Sequence, residues 1–238
     1  MAATKTKPDP KATKAKSPVH HDARGLQGSV DKFELFYRDN AKVINTVVII
    51  ILLLIAGYFG YKNLYQKPRE KKAVAMAFKA QQYFAIDSFK LALNGDGNNY
   101  GYLQVIRRYG DTKVGQLAKY SAGVCYVRLG DYQEGIDYLK KFHAGDEIVQ
   151  AMDYGLIGDA YMELGNTSQG ISWYKKAANY NDNNVISPLY LFRAGLASEK
   201  AGNTKDAITF FKEIQTKYPL STEGRSIDEY LARLGVTQ

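Results

Sequence analysis

Chemically reactive side chains are scarce in this 238-residue chain. The single cysteine, Cys125, excludes an internal disulfide and suits either a reducing or an oxidising compartment. No cysteine precedes it, which argues against a lipid-linked anchor. Of three histidines, His20 and His21 adjoin in a polar tail and read as solvated, not as a metal site, while His143 stands alone in a helix-end loop. There is no phosphate loop and no HExxH, CxxC or GxSxG. These absences argue against an enzyme: no catalytic residue, cofactor, metal or small-molecule substrate is expected. Cys125 falls inside a helix beside a core tyrosine, where a structural role is the default.

Charge is also missing over one long stretch. Residues Val43 to Tyr61, VINTVVIIILLLIAGYFGY, carry no acidic or basic side chain and are bracketed by Lys42 and Lys62. As a helix these nineteen residues span about 28 Å, close to the roughly 30 Å hydrocarbon core of a bilayer. Asn45 and Thr46 are the only polar side chains before Tyr58 and Tyr61, which suit the headgroup level at the far boundary. A secretory signal would have a shorter apolar core nearer the start and a cleavage site of small residues, so this segment is expected to persist as a membrane anchor.

Mapping the net charge of +8 removes its apparent meaning as a nucleic-acid signal. Residues 1–72 hold 14 Lys and Arg against 6 Asp and Glu, and residues 73–238 hold 18 of each sign. The excess base flanks the apolar run, where it meets anionic headgroups, so the bilayer and not a polynucleotide is the expected partner. Orientation stays open on charge alone. Residues 28–42 contribute three basic side chains and residues 62–76 five, and only the whole arm from Met1 reaches nine.

In chain order, residues 1–28 form a basic tail of Lys, Ala, Thr, Pro and Gly that cannot bury enough apolar surface to offset its entropy, and disorder is expected. Residues 29–42 read as an amphipathic pre-membrane helix: Ser29 is a plausible N-cap, Asp31 and Glu34 lie in the first turn, and Phe33, Phe36 and Tyr37 share the face that would dock at the membrane, on lipid or on another membrane protein. The span, 43–61, is followed by a basic linker, 62–72, in which Pro68 is expected to interrupt the helix. Residues 73–115 predict a helical hairpin, with one helix over 73–93, the breaker NGDGNN and a second helix over 100–109.

Residues 116–221 repeat. Aligning Gly123, Gly158 and Gly195, spaced by 35 and 37 residues, brings a second glycine into register seven residues on, at Gly130, Gly165 and Gly202. A third small residue follows (Gly135, Gly170, Ala207), then a bulky one (Leu139, Tyr174, Phe211). The first glycine belongs where two helices touch and only a small side chain fits; the second ends the first helix and turns the chain. No single hairpin buries its own apolar face, so the three must stack. Residues 222–238 then read as a capping helix started by Ser221, with Ile227, Tyr230, Leu231 and Leu234 on one face. The predicted fold class is all-α, a single transmembrane helix followed by a helical-hairpin solenoid.

These three segments resemble the tetratricopeptide repeat. Tyr126 and Tyr161 match its first-helix tyrosine, Tyr132 its turn aromatic, Ala177 its late alanine and Pro219 its closing proline, with departures at Ser198, Gly135 and Gly170. The resemblance implies a concave groove lined by the first helices of the hairpins, and in that register the lining comprises Tyr120, Val124, Arg128, Met152, Asp159, Met162, Leu189, Phe192 and Leu196. Repeats that grip a C-terminal carboxylate use Lys and Asn at positions held here by Tyr120, Val124, Leu156 and Leu189, with only Arg193 basic, so no carboxylate clamp is expected.

The whole arrangement is similar to the YfgM family of ancillary subunits of the bacterial Sec translocon. The resemblance rests on a basic arm, an aromatic pre-membrane segment (Phe33, Phe36, Tyr37, Asn40, Lys42), one span, a long helix after it and repeats to the end. It implies a single-pass inner-membrane protein with its N-terminus cytoplasmic and its repeats periplasmic. Its implied partners are the SecYEG translocon and a PpiD-like membrane-anchored periplasmic chaperone. The alternative is a cytosol-facing adaptor that recruits soluble proteins to a membrane.

Overall fold

The computed structural model describes residues 23–236, which fall into two units, one ending at Phe59 and the other beginning at Gly60. His20, His21 and most of the basic tail lie outside the described residues, as does the side chain of Phe33.

The first unit is one helix, α1 (Ala23–Gly60). At the entry to its apolar stretch the polar side chains close on the helix itself: Asn40 Nδ2 donates to the Phe36 carbonyl (3.0 Å), Thr46 Oγ1 to the Lys42 carbonyl (2.7 Å) and Tyr37 Oη to Asn45 Oδ1 (2.9 Å). Backbone and side-chain polar groups thus bond within the helix, which apolar surroundings demand. From Val43 to Phe59 its large apolar side chains are exposed, Leu53 and Leu54 by more than 65%. Among the described residues this is the one helix long and apolar enough to cross a membrane.

The second unit opens with a π-helical turn, Tyr61–Gln66, leading into α2 (Lys67–Ala85). Pro68 does not end the helix. The Lys67 amide donates five residues back to the Lys62 carbonyl, and this wider turn makes room for a ring that lacks an amide and would crowd the carbonyl four residues earlier. The single helix expected over 73–93 is instead two, α2 and α3 (Phe89–Asn94). Asp87 adopts a left-handed conformation (φ 57°), which its short polar side chain tolerates. Asp96 then organises the tight loop before α4 (Tyr102–Tyr109), accepting from Tyr83 Oη (2.6 Å) and from the amides of Asn98 (3.0 Å) and Asn99 (2.6 Å). No strand occurs among the described residues, only one isolated bridge, Gly95 to Tyr100.

Three hairpins follow: α5 (Lys113–Leu129) with α6 (Tyr132–Leu139), α7 (Glu147–Glu163) with α8 (Thr167–Tyr180), and α9 (Ile186–Lys200) with α10 (Thr204–Lys217). Gly130, Gly165 and Gly202 turn each hairpin at φ between 73° and 87°, a region in which a Cβ is strained. A methyl group on Gly123 would stand 2.6 Å from Leu139 Cγ, one on Gly158 2.7 Å from the Tyr174 ring, and one on Gly195 would overlap the Phe211 ring. The small-to-bulky pairing is therefore steric, repeated three times. Capping side chains start the helices: Thr112, Asp146, Asn166 and Asn203 each accept from the amide three residues on.

Two further joints hold the stack. Glu70 of α2 accepts from the first amides of α5, at Lys113 and Val114 (both 2.9 Å), placing a carboxylate at the positive end of that helix. At the other end Ser221 caps not the last helix but the short 3₁₀ turn before it, accepting from the Gly224 amide (2.9 Å). The final helix, α11 (Ile227–Arg233), lays Ile227, Tyr230 and Leu231 over the core beside Phe211 and Ile214.

Candidate functional site

The first helices of the hairpins, α5, α7 and α9, form the wall of a groove of about 640 Å³. Six of the nine residues expected from the repeat register converge on it: Tyr120, Val124 and Arg128 from α5, and Met152, Asp159 and Met162 from α7. They recur at intervals of three, four and seven because that spacing keeps side chains on one helical face. Leu196 lies in an adjoining pocket that shares Asp159, Met162 and Arg193 with the groove.

Leu189 and Phe192 go elsewhere. Phe192 is part-buried in the seam under α11, its ring 4.8 Å from Tyr230 and 5.9 Å from Phe211, and Leu189 packs on the same core. Neither is among the groove-lining residues: α9 gives the groove Tyr190 and Arg193 and the adjoining pocket Leu196, while the Phe192 ring faces the terminal helix. Sequence reasoning in turn missed Val127, Tyr132, Glu163, Tyr174 and Tyr190, which with Leu156 and Arg193 complete the lining. Tyr132 was assigned to the turn alone. Its position just past Gly130 puts its hydroxyl 3.4 Å from Glu163.

The groove surface is as polar as it is apolar, with Arg128, Asp159, Glu163 and Arg193 in its lining, and one ion pair forms within it. Arg193 Nη1 donates to both oxygens of Asp159 at 2.8 Å, and Tyr174 Oη donates to Asp159 Oδ1 at 2.6 Å, so α7, α8 and α9 meet at a single carboxylate. Burial, then proximity to Asp159, drives the Tyr174 hydroxyl well above its ordinary range, and burial pushes Tyr190 up to about 12, so both phenols stay neutral donors. Because the one basic residue at the clamp positions is committed to Asp159, the groove presents no free cation there to a peptide carboxylate. What remains is a trough of Val, Leu, Met and Tyr faces together with Arg128 and Glu163, suited to an amphipathic helix or an extended segment.

The membrane-side residues Phe36 and Tyr37 are exposed in the first unit, while Phe33 is described only as backbone of α1. Cys125 is fully buried, and burial pushes its thiol up to about 12, which suppresses the nucleophilic thiolate. Among the described residues no group of three or more His, Cys, Asp or Glu could hold a metal. Asn166, within the Asn-Thr-Ser triplet, is used as the cap of α8.

Comparison with known proteins agrees on the repeats. Two tetratricopeptide-repeat family models match residues 117–144 and 190–221, and 154–184. Among solved structures, one similar chain is from Podosopora anserina, described as a kinesin light chain with nearly identical TPR-like repeats. It is 13% identical, with a TM-score of 0.50 over 67% of this chain and 83% of that one. No curated protein matches the sequence. This chain therefore carries tetratricopeptide repeats, an all-helical solenoid of the kind that serves as a protein–protein interaction scaffold and is typically non-enzymatic.

Proposed function

We propose that this protein is a membrane-anchored repeat scaffold of the Sec translocon, linking SecYEG to a PpiD-like periplasmic chaperone that receives newly translocated chains. The observation that carries the reading is the coupling in one chain of an exposed apolar helix of membrane-crossing length with a repeat groove of mixed polar and apolar lining, whose Arg193 is already paired with Asp159. A trough of mixed apolar and charged lining suits amphipathic client segments, and the aromatic residues Phe33, Phe36 and Tyr37 would dock at the membrane or the channel. On this reading the chain crosses the inner membrane once, N-terminus cytoplasmic and repeats periplasmic.

A second reading, a cytosol-facing adaptor, is favoured by the local charge count, five basic residues just after the apolar run against three just before it. Protease treatment of sealed inverted membrane vesicles separates the two. Periplasmic repeats are protected inside the vesicle and leave a fragment of the repeat domain; cytosolic repeats are digested. Photo-crosslinkers placed at Phe36 and Tyr120 in native membranes are expected to reach SecYEG and a chaperone respectively. Extraction of the protein by carbonate would refute both readings.

A further inference from the structure

A second cavity, of about 420 Å³, opens between the first and second hairpins and shares no residue with the groove. Asp153 of α7 lines it with a side chain that is fully buried. Asp153 Oδ2 accepts from Gln150 Nε2 (3.2 Å), and Gln150 is itself fixed by accepting from the Ala144 amide (2.8 Å). The other oxygen, Oδ1, has no hydrogen-bond partner at all. A buried carboxyl with one oxygen unanswered costs stability, so a role in packing alone does not explain it.

The walls are aromatic. Tyr154 lies 5.5 Å from Trp173 and 5.2 Å from Tyr180, centroid to centroid. These rings already attract cations: Lys176 Nζ hovers 3.9 Å from the Tyr154 centroid and 4.5 Å from Trp173, and Lys140 Nζ lies 5.6 Å from Trp173. Lys176 nonetheless makes no ion pair with Asp153; the ammonium rests on the ring faces at the rim. A buried acid with an unpartnered oxygen and flanking rings together describe a receptor for a planar organic cation that reaches the oxygen by displacing the Lys176 side chain.

We propose that this cavity receives an arginine side chain of a protein partner, its guanidinium donating to Asp153 Oδ1 and stacking on Trp173 and Tyr154 as Lys176 moves outward. Guanidinium fits better than ammonium because it is weakly hydrated, flat enough to lie on indole or phenol, and able to donate from its edge while stacked. Burial raises Asp153 to about 8, against the smaller opposing pulls of Lys176 and Gln150, so the empty site is mostly protonated at neutral pH and binding releases a proton. Affinity consequently rises from pH 6 to pH 8. Lys140, Lys176, His143, Tyr154 and Tyr180 share the cavity, and Tyr120 and Tyr190 couple to Asp153 from α5 and α9. A His143→Gln chain, which removes the imidazole from the cavity, must keep the pH dependence.

Trp173 is the only tryptophan in the chain and reports on this cavity. The test titrates the full chain, in detergent micelles at constant ionic strength, with N-acetyl-arginine amide and with its citrulline counterpart. Trp173 fluorescence should change saturably with arginine and not with citrulline. Asp153→Asn should weaken the response by about tenfold or more, whereas Lys176→Ala, which empties the rim, should strengthen it severalfold. An equal citrulline response, no saturable response in either the parent or the Lys176→Ala chain, or an undiminished one in folded Asp153→Asn overturns the proposal. A lysine amide that matched arginine would overturn the guanidinium assignment.

Discussion

Replacing Asp153 by asparagine should stabilise the repeat domain progressively as pH rises from 5 to 8. The carboxyl is fully buried with one oxygen unpartnered, and burial raises it to about 8. In the unfolded chain an aspartate titrates near 3.9. Between those two values the folded state holds a proton that the unfolded state has lost. The contribution of Asp153 is therefore most favourable below about pH 4 and declines as pH climbs toward 8, by about 1.4 kcal/mol per pH unit. From pH 5 to pH 8 the loss approaches about 4 kcal/mol if the cavity stays rigid. Rotation of Lys176 onto the carboxylate, or entry of water, reduces it, so about 1–4 kcal/mol is the expected range.

Asparagine has the same shape and no such titration. Its amide introduces an offset that does not vary with pH, so the slope of the difference isolates Asp153. Urea unfolding of the parent and Asp153→Asn chains in detergent micelles at pH 5, 6, 7 and 8, followed by Trp173 emission, measures that slope. Groups common to both chains and remote from Asp153 cancel in the difference. A stability difference that stays level across the four pH values, or that shrinks as pH rises, would refute the reasoning.

Three further outcomes follow from the packing. Gly195→Ala drives a methyl group into the Phe211 ring at the centre of the last hairpin and should cost about 1–3 kcal/mol, read as a lowered thermal midpoint. Phe192→Ala should act on stability and not on groove occupancy, costing about 3–5 kcal/mol because its ring fills the seam between Phe211 and Tyr230; peptide crosslinking at Tyr120 in the folded fraction should be unchanged. Glu70→Gln weakens the carboxylate contact at the start of α5 by about 0.5–2 kcal/mol, and should appear as faster hydrogen exchange at the Lys113 and Val114 amides.

The repeats were legible because their signal is steric and has few solutions. A glycine at 123, 158 or 195 faces a bulky residue sixteen positions later, and the turn glycine between them needs a positive φ, so three residue types at fixed intervals restate one backbone geometry. The apolar run is similarly plain, since nothing in its composition offers a polar face. Pro68 misled because a proline is read as a helix end, whereas a single π-helical turn upstream removes the clash and lets the helix continue. Asp87 hid the division of α2 from α3 for a related reason: an aspartate in a helical string carries no mark of the left-handed conformation it adopts.

The site was harder, and the difficulty has one physical origin. A helical register assigns a face, but which stripe of that face stays open depends on elements packed later in the chain. On α9, Phe192 and Arg193 are adjacent and point about 100° apart. The terminal helix takes the phenylalanine and leaves Arg193 to meet Asp159, an outcome fixed by Tyr230, thirty-eight residues away. Asp153 obeys the same logic in reverse. In sequence it is one acid in a mixed helix, with no pattern to mark it as buried. The cavity it lines is shared with Phe142 and Ala144, which belong to the preceding loop, and with Trp173 and Tyr180 from the following helix. Side chains whose surroundings come from three different segments are those a linear pattern cannot assign, and both the groove ion pair and the aromatic cavity are built from them.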